Sequence, residues 1–227
     1  MFDALSLPAR ERLRPYVERV QLSKGKVLYD IGELPRHVLM PQEGLISLLA
    51  ITEDGDTLEV AHVCNDGIAG VPIVLSAKPP AHQAVVQIPG VAYRIHRDAF
   101  VREFRRGEEL QALTLICIDT LIRQQTQSAL CHAFHPLMAR VCRWLLTSRD
   151  CLHANTVELT EESIAHTLGV SRPRVSQALV MLEQQNLIHH GHGRTHIVDA
   201  QGLARMSCTC YRATSAQRDS QHVHQAR

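Results

Sequence analysis

Between about Val20 and Ile95 the apolar residues come in short runs rich in Val, Ile and Leu, set apart by turn formers such as Ser23-Lys-Gly25, Gln42-Glu-Gly44, Glu53-Asp-Gly55 and Asn65-Asp-Gly67. The runs predict strands at Lys26–Asp30, His37–Met40, Leu45–Ile51, Thr57–Cys64, Gln83–Ile88 and Val91–Ile95. Short strands at this spacing with Gly-bearing turns imply an antiparallel sandwich or barrel. Before them, residues 2–20 carry Leu5, Leu7, Leu13, Val17 and Val20 and read as helical, with Pro15 bending or ending the helix.

Near Arg97 the period changes from strand to helix. A short polar helix is expected over Asp98–Arg106 and a long one over Glu108–Phe134. The first half of the long helix is apolar on more than one face, whereas a surface helix of one domain needs only one stripe. We assign Leu110, Leu113, Cys117 and Leu121 to a seam with the same helix of a second subunit. The other available cover is the chain's own β-domain. His135-Pro136 breaks the helix, and Leu137–Asp150 resumes with Val141, Trp144, Leu145 and Leu146 on a core face. A connector comes next, with a short strand at Thr156–Leu159.

The stretch after it carries the chemistry. Thr160 is suited to cap a helix, Glu161 and Glu162 favour its positive end, and Ile164, Ala165 and Leu168 share a face. Gly169 permits a sharp turn, Ser171 is a second candidate cap, and Pro173 fits a first helical turn. Val175, Leu179 and Leu182 then line the inner face of a second helix, leaving Arg172, Arg174, Ser176 and Gln177 largely outside. A helix, a Gly turn and a helix with outward Arg and Gln describe a DNA-binding helix-turn-helix, since Arg pairs with guanine and Gln with adenine. Leu187–Val198 reads as two strands around a Gly-rich turn, a wing. Arg172, Arg174 and Gln177 are the expected base readers; Ser171, Ser176, His192 and Arg194 are the expected phosphate contacts. His189, His190, His192 and His196 cluster on the wing, where alternation sends them to different sides. Asp199–Met206 allows one more helical turn, and Ser207–Arg227, polar and aperiodic, is expected to be a mobile tail.

Net charge of +1 argues against a non-specific coat for nucleic acid, but a local basic face suffices for a sequence reader. It also leaves open a ligand-binding or protein-docking module whose DNA-binding part is degenerate. No apolar run reaches the ~18 residues of a membrane span, and the N-terminus does not resemble a secretory signal, so no membrane partner and a cytoplasmic location are expected. The seven cysteines are expected to be buried, reduced thiols. Cys208-Thr-Cys210, with His222 and His224, lacks the C-x₂₋₄-C spacing of zinc sites, so no metal site is expected. No Ser/His/Asp, paired-carboxylate or phosphate-loop pattern points to catalysis, and an enzyme is not expected.

The order of a small Gly-turned β-domain, a long helix and a winged helix-turn-helix resembles the Crp/Fnr family of bacterial transcription regulators over roughly residues 18–200. The stretch Leu168-Gly-Val-Ser-Arg-Pro-Arg-Val-Ser-Gln-Ala-Leu-Val-Met-Leu-Glu-Gln-Gln-Asn-Leu-Ile188 carries it most strongly, supported by Gly25, Gly32, Gly44, Gly55 and Gly67. The resemblance implies an α+β fold: a jelly-roll-like antiparallel β-roll over residues 1–97, a linker and dimerisation helix over 98–134, and a winged helix-turn-helix over 135–206, with the tail at 207–227. It further implies a homodimer on double-stranded DNA with a two-fold related site, contact with RNA polymerase, and an effector site at Gly67, Ile68, Ala69, His82 and Gln83. In cyclic-nucleotide members a Glu holds the ribose and an Arg the cyclic phosphate. Ile68 and His82 stand near those positions here, so cyclic AMP is not the expected ligand. No cysteine precedes Cys64, so an N-terminal iron–sulfur cluster is not expected either. Pro173 stands where best-known members place an acidic base reader, which implies a different target sequence.

Overall fold

The computed structural model describes residues 1–213. After a 3-10 turn at Phe2–Ala4, α1 (Leu7–Leu13) starts with Pro8 in its first turn and gives way to a second 3-10 turn at Arg14–Tyr16. The next element is a strand, β1 (Val17–Leu22), which corrects the helical reading of residues 2–20. Val17 and Val20, three apart, fit a helical stripe, but Pro15 ends the helix. The strand is then fixed from a distance by β7 (Gly90–His96), with Val17 opposite Ile95 and Leu22 opposite Gly90.

The remaining strands of the N-terminal domain are β2 (Val27–Tyr29), β3 (His37–Pro41), β4 (Leu45–Ile51), β5 (Thr57–Val63) and β6 (Gln83–Ile88), with a short α2 (Pro72–Leu75) before β6. They form two antiparallel sheets in the orders β1-β7-β3 and β2-β6-β4-β5. Leu22, Leu39, Ile46, Leu48, Val63, Val86 and Ala92 belong to one apolar core of this domain. Val38, Met40 and Ile95, on the opposite pleats of β3 and β7, pack with Leu5, Leu13, Phe100 and Leu110 of the covering helices. A strand buried on both faces reads as an unbroken apolar run, as β3 does from Val38 to Pro41.

α3 (Arg97–Phe104) leads to α4 (Glu109–Phe134), whose two apolar stripes have different fates. Leu110 and Cys117 are 1% and 5% exposed within the β-domain's own core, and Leu113 and Leu121 pack against it. Farther along, Gln124 Oε1 accepts the His62 N–H (2.9 Å) and Ser128 Oγ donates to the Glu59 carbonyl (2.9 Å). Leu110 and Cys117 of the seam assigned from sequence are therefore taken up within the chain itself. The open stripe is a different one, with Leu115 52% and Ile122 56% exposed, continued by Leu130 and Phe134.

Beyond His135-Pro136 come α5 (Leu137–Leu152), β8 (Thr156–Val157), α6 (Glu161–Leu168), α7 (Arg172–Gln184), β9 (Ile188–Gly191), β10 (Arg194–Ile197) and α8 (Ala200–Met206). β8-β10-β9 form a third sheet. The core around Trp144, Leu145, Ile164, Val175, Leu182 and Ile188 runs on into Leu45, Cys64 and Ile88 of the β-domain, so the two domains share apolar contact. Two further expectations are corrected. Cys64 and Cys151 form a disulfide between the domains, so the cysteines are not all reduced thiols; their separation of 87 residues hides the pairing from sequence. Residues 207–213 are also not a mobile tail: Cys208 and Cys210 are buried and Tyr211 Oη donates to Asp150 Oδ2 (2.9 Å).

Candidate functional site

Thr160 starts α6 with reciprocal capping: its Oγ1 accepts the Ser163 N–H and Ser163 Oγ accepts the Thr160 N–H, both at 3.1 Å. Gly169 ends the helix in the left-handed region, φ +61°. Buried Ile164, Ala165 and Leu168 clamp Val175, Leu179 and Leu182, which fixes the roll of α7. Ser171 precedes α7 in extended conformation, but its side chain makes no capping hydrogen bond, unlike the cap the sequence suggests.

This roll leaves Arg172, Arg174 and Gln177 exposed on the outer side of α7. Arg172, Pro173, Ser176, Gln177, Val180 and Met181 line a wide, open depression of about 870 Å³. Glu161 organises its edge. Arg172 Nε donates to one of its carboxylate oxygens (2.9 Å) and Ser176 Oγ to the other (3.1 Å). The Arg172 guanidinium, aided by Ser176, holds the Glu161 carboxyl below the usual carboxylate range. In the wing His192 (φ +51°) and Gly193 (φ +73°) form the two-residue turn that a tight hairpin requires. Arg194 Nη2 donates to Glu158 Oε1 (2.9 Å). The wing histidines do not converge: His190 Nδ1 lies 2.7 Å from Thr195 Oγ1, and His196 Nδ1 lies 2.9 Å from Thr156 Oγ1.

A second site lies between the β-domain and α4, a cavity of about 190 Å³ lined by Tyr29, Leu48, Ile68, Leu75, His82, Ile118 and Ile122, among others. Ile68 and His82 are the expected effector residues that reach it. Gly67, Ala69 and Gln83 do not: Ala69 exchanges backbone hydrogen bonds with Leu39, and Gln83 Nε2 donates to Asp30 Oδ1 (3.0 Å). Tyr29 Oη and His82 Nε2 are 2.9 Å apart. Burial pushes the His82 pKa down and the Tyr29 pKa up, so both are neutral near pH 7. No Arg or Lys is among the lining residues.

The joint between the domains was not legible as a site. Buried Glu59 of β5 accepts from Ser47 Oγ of β4 and from Trp144 Nε1 of α5 (3.3 Å), and lies 3.4 Å from His62 Nδ1. Gln87 Nε2 donates to the Ser163 carbonyl and Thr167 Oγ1, and Thr57 Oγ1 to the His166 carbonyl. The helix-turn-helix thus leans on β5 and β6. Among the described residues two groups have metal-ligand atoms within 4.8 Å of one another: His62 with Cys64 and Cys151, whose sulfurs are joined in the disulfide, and Cys131, His135, Cys208 and Cys210, which could hold a metal. In the sequence only Cys208 and Cys210 stand out, beside His222 and His224, and those two histidines lie outside the described residues.

Comparison with known proteins agrees with this architecture. The family model of the cyclic nucleotide-binding domain matches residues 19–107, and that of the Crp-like helix-turn-helix domain matches residues 139–206. A transcriptional regulator of Thermus thermophilus, LdrP, is 24% identical over 198 residues, covering 82% of this chain and 94% of its own. A crystal structure of a Crp/Fnr-family regulator from Eubacterium rectale superposes with a TM-score of 0.68 at 15% identity, covering 90% of this chain and 96% of that one. FixK2 of Bradyrhizobium japonicum gives 0.66 at 18% identity, covering 85% and 98%. Among the described residues no helix is long and apolar enough to cross a membrane. A cyclic nucleotide-binding domain, a long helix and a Crp-like helix-turn-helix, joined in this order and this fold, make the chain a member of the Crp/Fnr family of DNA-binding transcription regulators.

Proposed function

We propose that the chain works as a homodimer that reads a two-fold related DNA site and responds to a small neutral ligand. The observation that carries the reading is the outer side of α7. Arg172, Arg174 and Gln177 are exposed above a fully buried inner stripe, as base readers must be. Arg194 and His192 at the wing tip are placed for adjacent phosphates. The dimer is supported by Leu115, Ile122 and Ala129, seven residues apart and exposed along α4, the spacing of a coiled-coil seam. Contact with RNA polymerase is inferred from family resemblance.

The cavity favours a small uncharged ligand over cyclic AMP. Ile68 is buried there, His82 is neutral, and without a guanidinium a buried phosphate anion would cost several kcal/mol. Nothing in the arrangement asks for a chemical step, and we read the chain as a regulator and not an enzyme. Selection of bound sequences from a random DNA pool tests the reading. It should return two inverted half-sites with centres about one helical turn, ~34 Å, apart. A pool without enrichment, or a single unrepeated half-site, would refute it.

A further inference from the structure

We propose that Cys131, His135, Cys208 and Cys210 form a Cys₃His site for a structural zinc ion that fastens the segment after α8 to the break between α4 and α5. Cys131 and His135 are one helical turn apart at the C-terminal end of α4, so they share a face. Cys208 and Cys210 arrive from the far side of the winged domain, Cys208 being 77 residues from Cys131. Cys131 is 0%, Cys210 1% and Cys208 8% exposed.

Two of the distances are close to those of a metal cage. Zinc bonds of about 2.3 Å to sulfur and 2.0–2.1 Å to nitrogen put tetrahedral ligand atoms roughly 3.5–3.8 Å apart. Here Cys131 Sγ and Cys208 Sγ are 3.5 Å apart, Cys210 Sγ and His135 Nδ1 are 3.3 Å apart, and all four atoms fall within 4.8 Å. Four ligands close the shell, the mark of a structural and not a catalytic zinc.

The surroundings suit such a site. Among the described residues the buried cluster here holds, besides the three sulfurs, Ala139. Tyr211 holds the same segment from its other side, packing on the winged-domain core and bonding Asp150. Three thiolates around a dication leave one negative charge, and the guanidiniums of Arg140 and Arg143 lie close enough to act on Cys131 and Cys208. Arg143 is buried and its Nε has no hydrogen-bond acceptor among the described residues. Gln127 Nε2 donates to Cys210 Sγ (2.8 Å), the outer contact that orients a thiolate ligand.

The test is metal analysis of the purified full chain together with the absorption spectrum of its cobalt(II) form. We expect about one zinc per chain, and cobalt bands of a tetrahedral site with three sulfur ligands and one imidazole. Cys208→Ser with Cys210→Ser should abolish binding. Gln127→Ala should weaken it by roughly 10–100-fold. His222→Ala with His224→Ala should leave it unchanged. Because the double serine variant could fail to fold, the wild-type cobalt spectrum serves as the independent readout. A folded wild-type chain that binds neither ion would overturn the proposal. So would a cobalt spectrum without three thiolates, iron with inorganic sulfide in place of zinc, or dependence on His222 and His224.

Discussion

Gly169→Ala tests whether the helix-turn-helix rests on the β-domain in solution. Gly169 sits at φ +61°, and an added Cβ would lie 3.0 Å from Leu58 Cδ1 and 3.3 Å from the Thr57 carbonyl oxygen. The left-handed conformation costs Ala about 1 kcal/mol. Overpacking against Leu58 adds ~1 kcal/mol, and the smaller entropy of the unfolded Ala chain returns about 0.4–1 kcal/mol. The net loss should be roughly 1–2 kcal/mol. Leu58→Ala removes the Cδ1 that the new methyl meets but leaves the backbone strain. In that background Gly169→Ala should cost about 1 kcal/mol less. Urea unfolding followed by Trp144 fluorescence measures both, since Trp144 is the only tryptophan and lies at the joint beside Glu59. If the two losses add within about 0.5 kcal/mol, the Gly169 turn does not touch Leu58, and the contact between β5 and the end of α6 has no part in coupling the domains.

The same geometry sets other outcomes. Arg172→Ala should weaken specific DNA binding by ~1–3 kcal/mol and relax one position per half-site. A gel shift showing equal loss on random DNA would rule out base reading. Leu115→Glu should dissociate the proposed dimer in sedimentation, because Leu115 is on the open stripe of α4. Leu110→Ala should instead cost about 2–5 kcal/mol of β-domain stability and leave the oligomer intact. The His82 pKa is lowered from 6.5 in the fold, so below about that pH the unfolded chain binds a proton the folded one does not. Stability should therefore fall on acidification through pH 6.5, and His82→Gln should flatten that part of the profile; an unchanged slope would show His82 to be open to water.

The helix-turn-helix and wing were legible because their signals are local. Thr160, Gly169 and Pro173 mark helix ends, and a single apolar stripe in each helix fixes which residues face out. The strands Leu45–Ile51 and Gln83–Ile88 stand where their β-branched runs put them. Pairings between distant segments were not legible. Val17 and Val20 carry no mark that β7 will claim them. Two stripes on α4 compete for two covers, and only the folded β-domain shows that Leu110 and Cys117 are its own. Cys131 and His135 come close to Cys208 and Cys210 only when α8 packs on α5 and carries the following segment to the end of α4.

The bond between Cys64 and Cys151 joins β-domain to α5, and the chain between them contains all of α4 and the His135-Pro136 break. In mechanical terms the sulfur bridge adds a covalent mount to a winged domain already joined to the β-domain by the chain, the shared apolar core and the Trp144–Glu59 and Gln87–Thr167 hydrogen bonds. With the bridge closed, a rearrangement of α4 has fewer ways to shift the winged domain against the β-domain. With the bridge cut, the same rearrangement has more than one place to go.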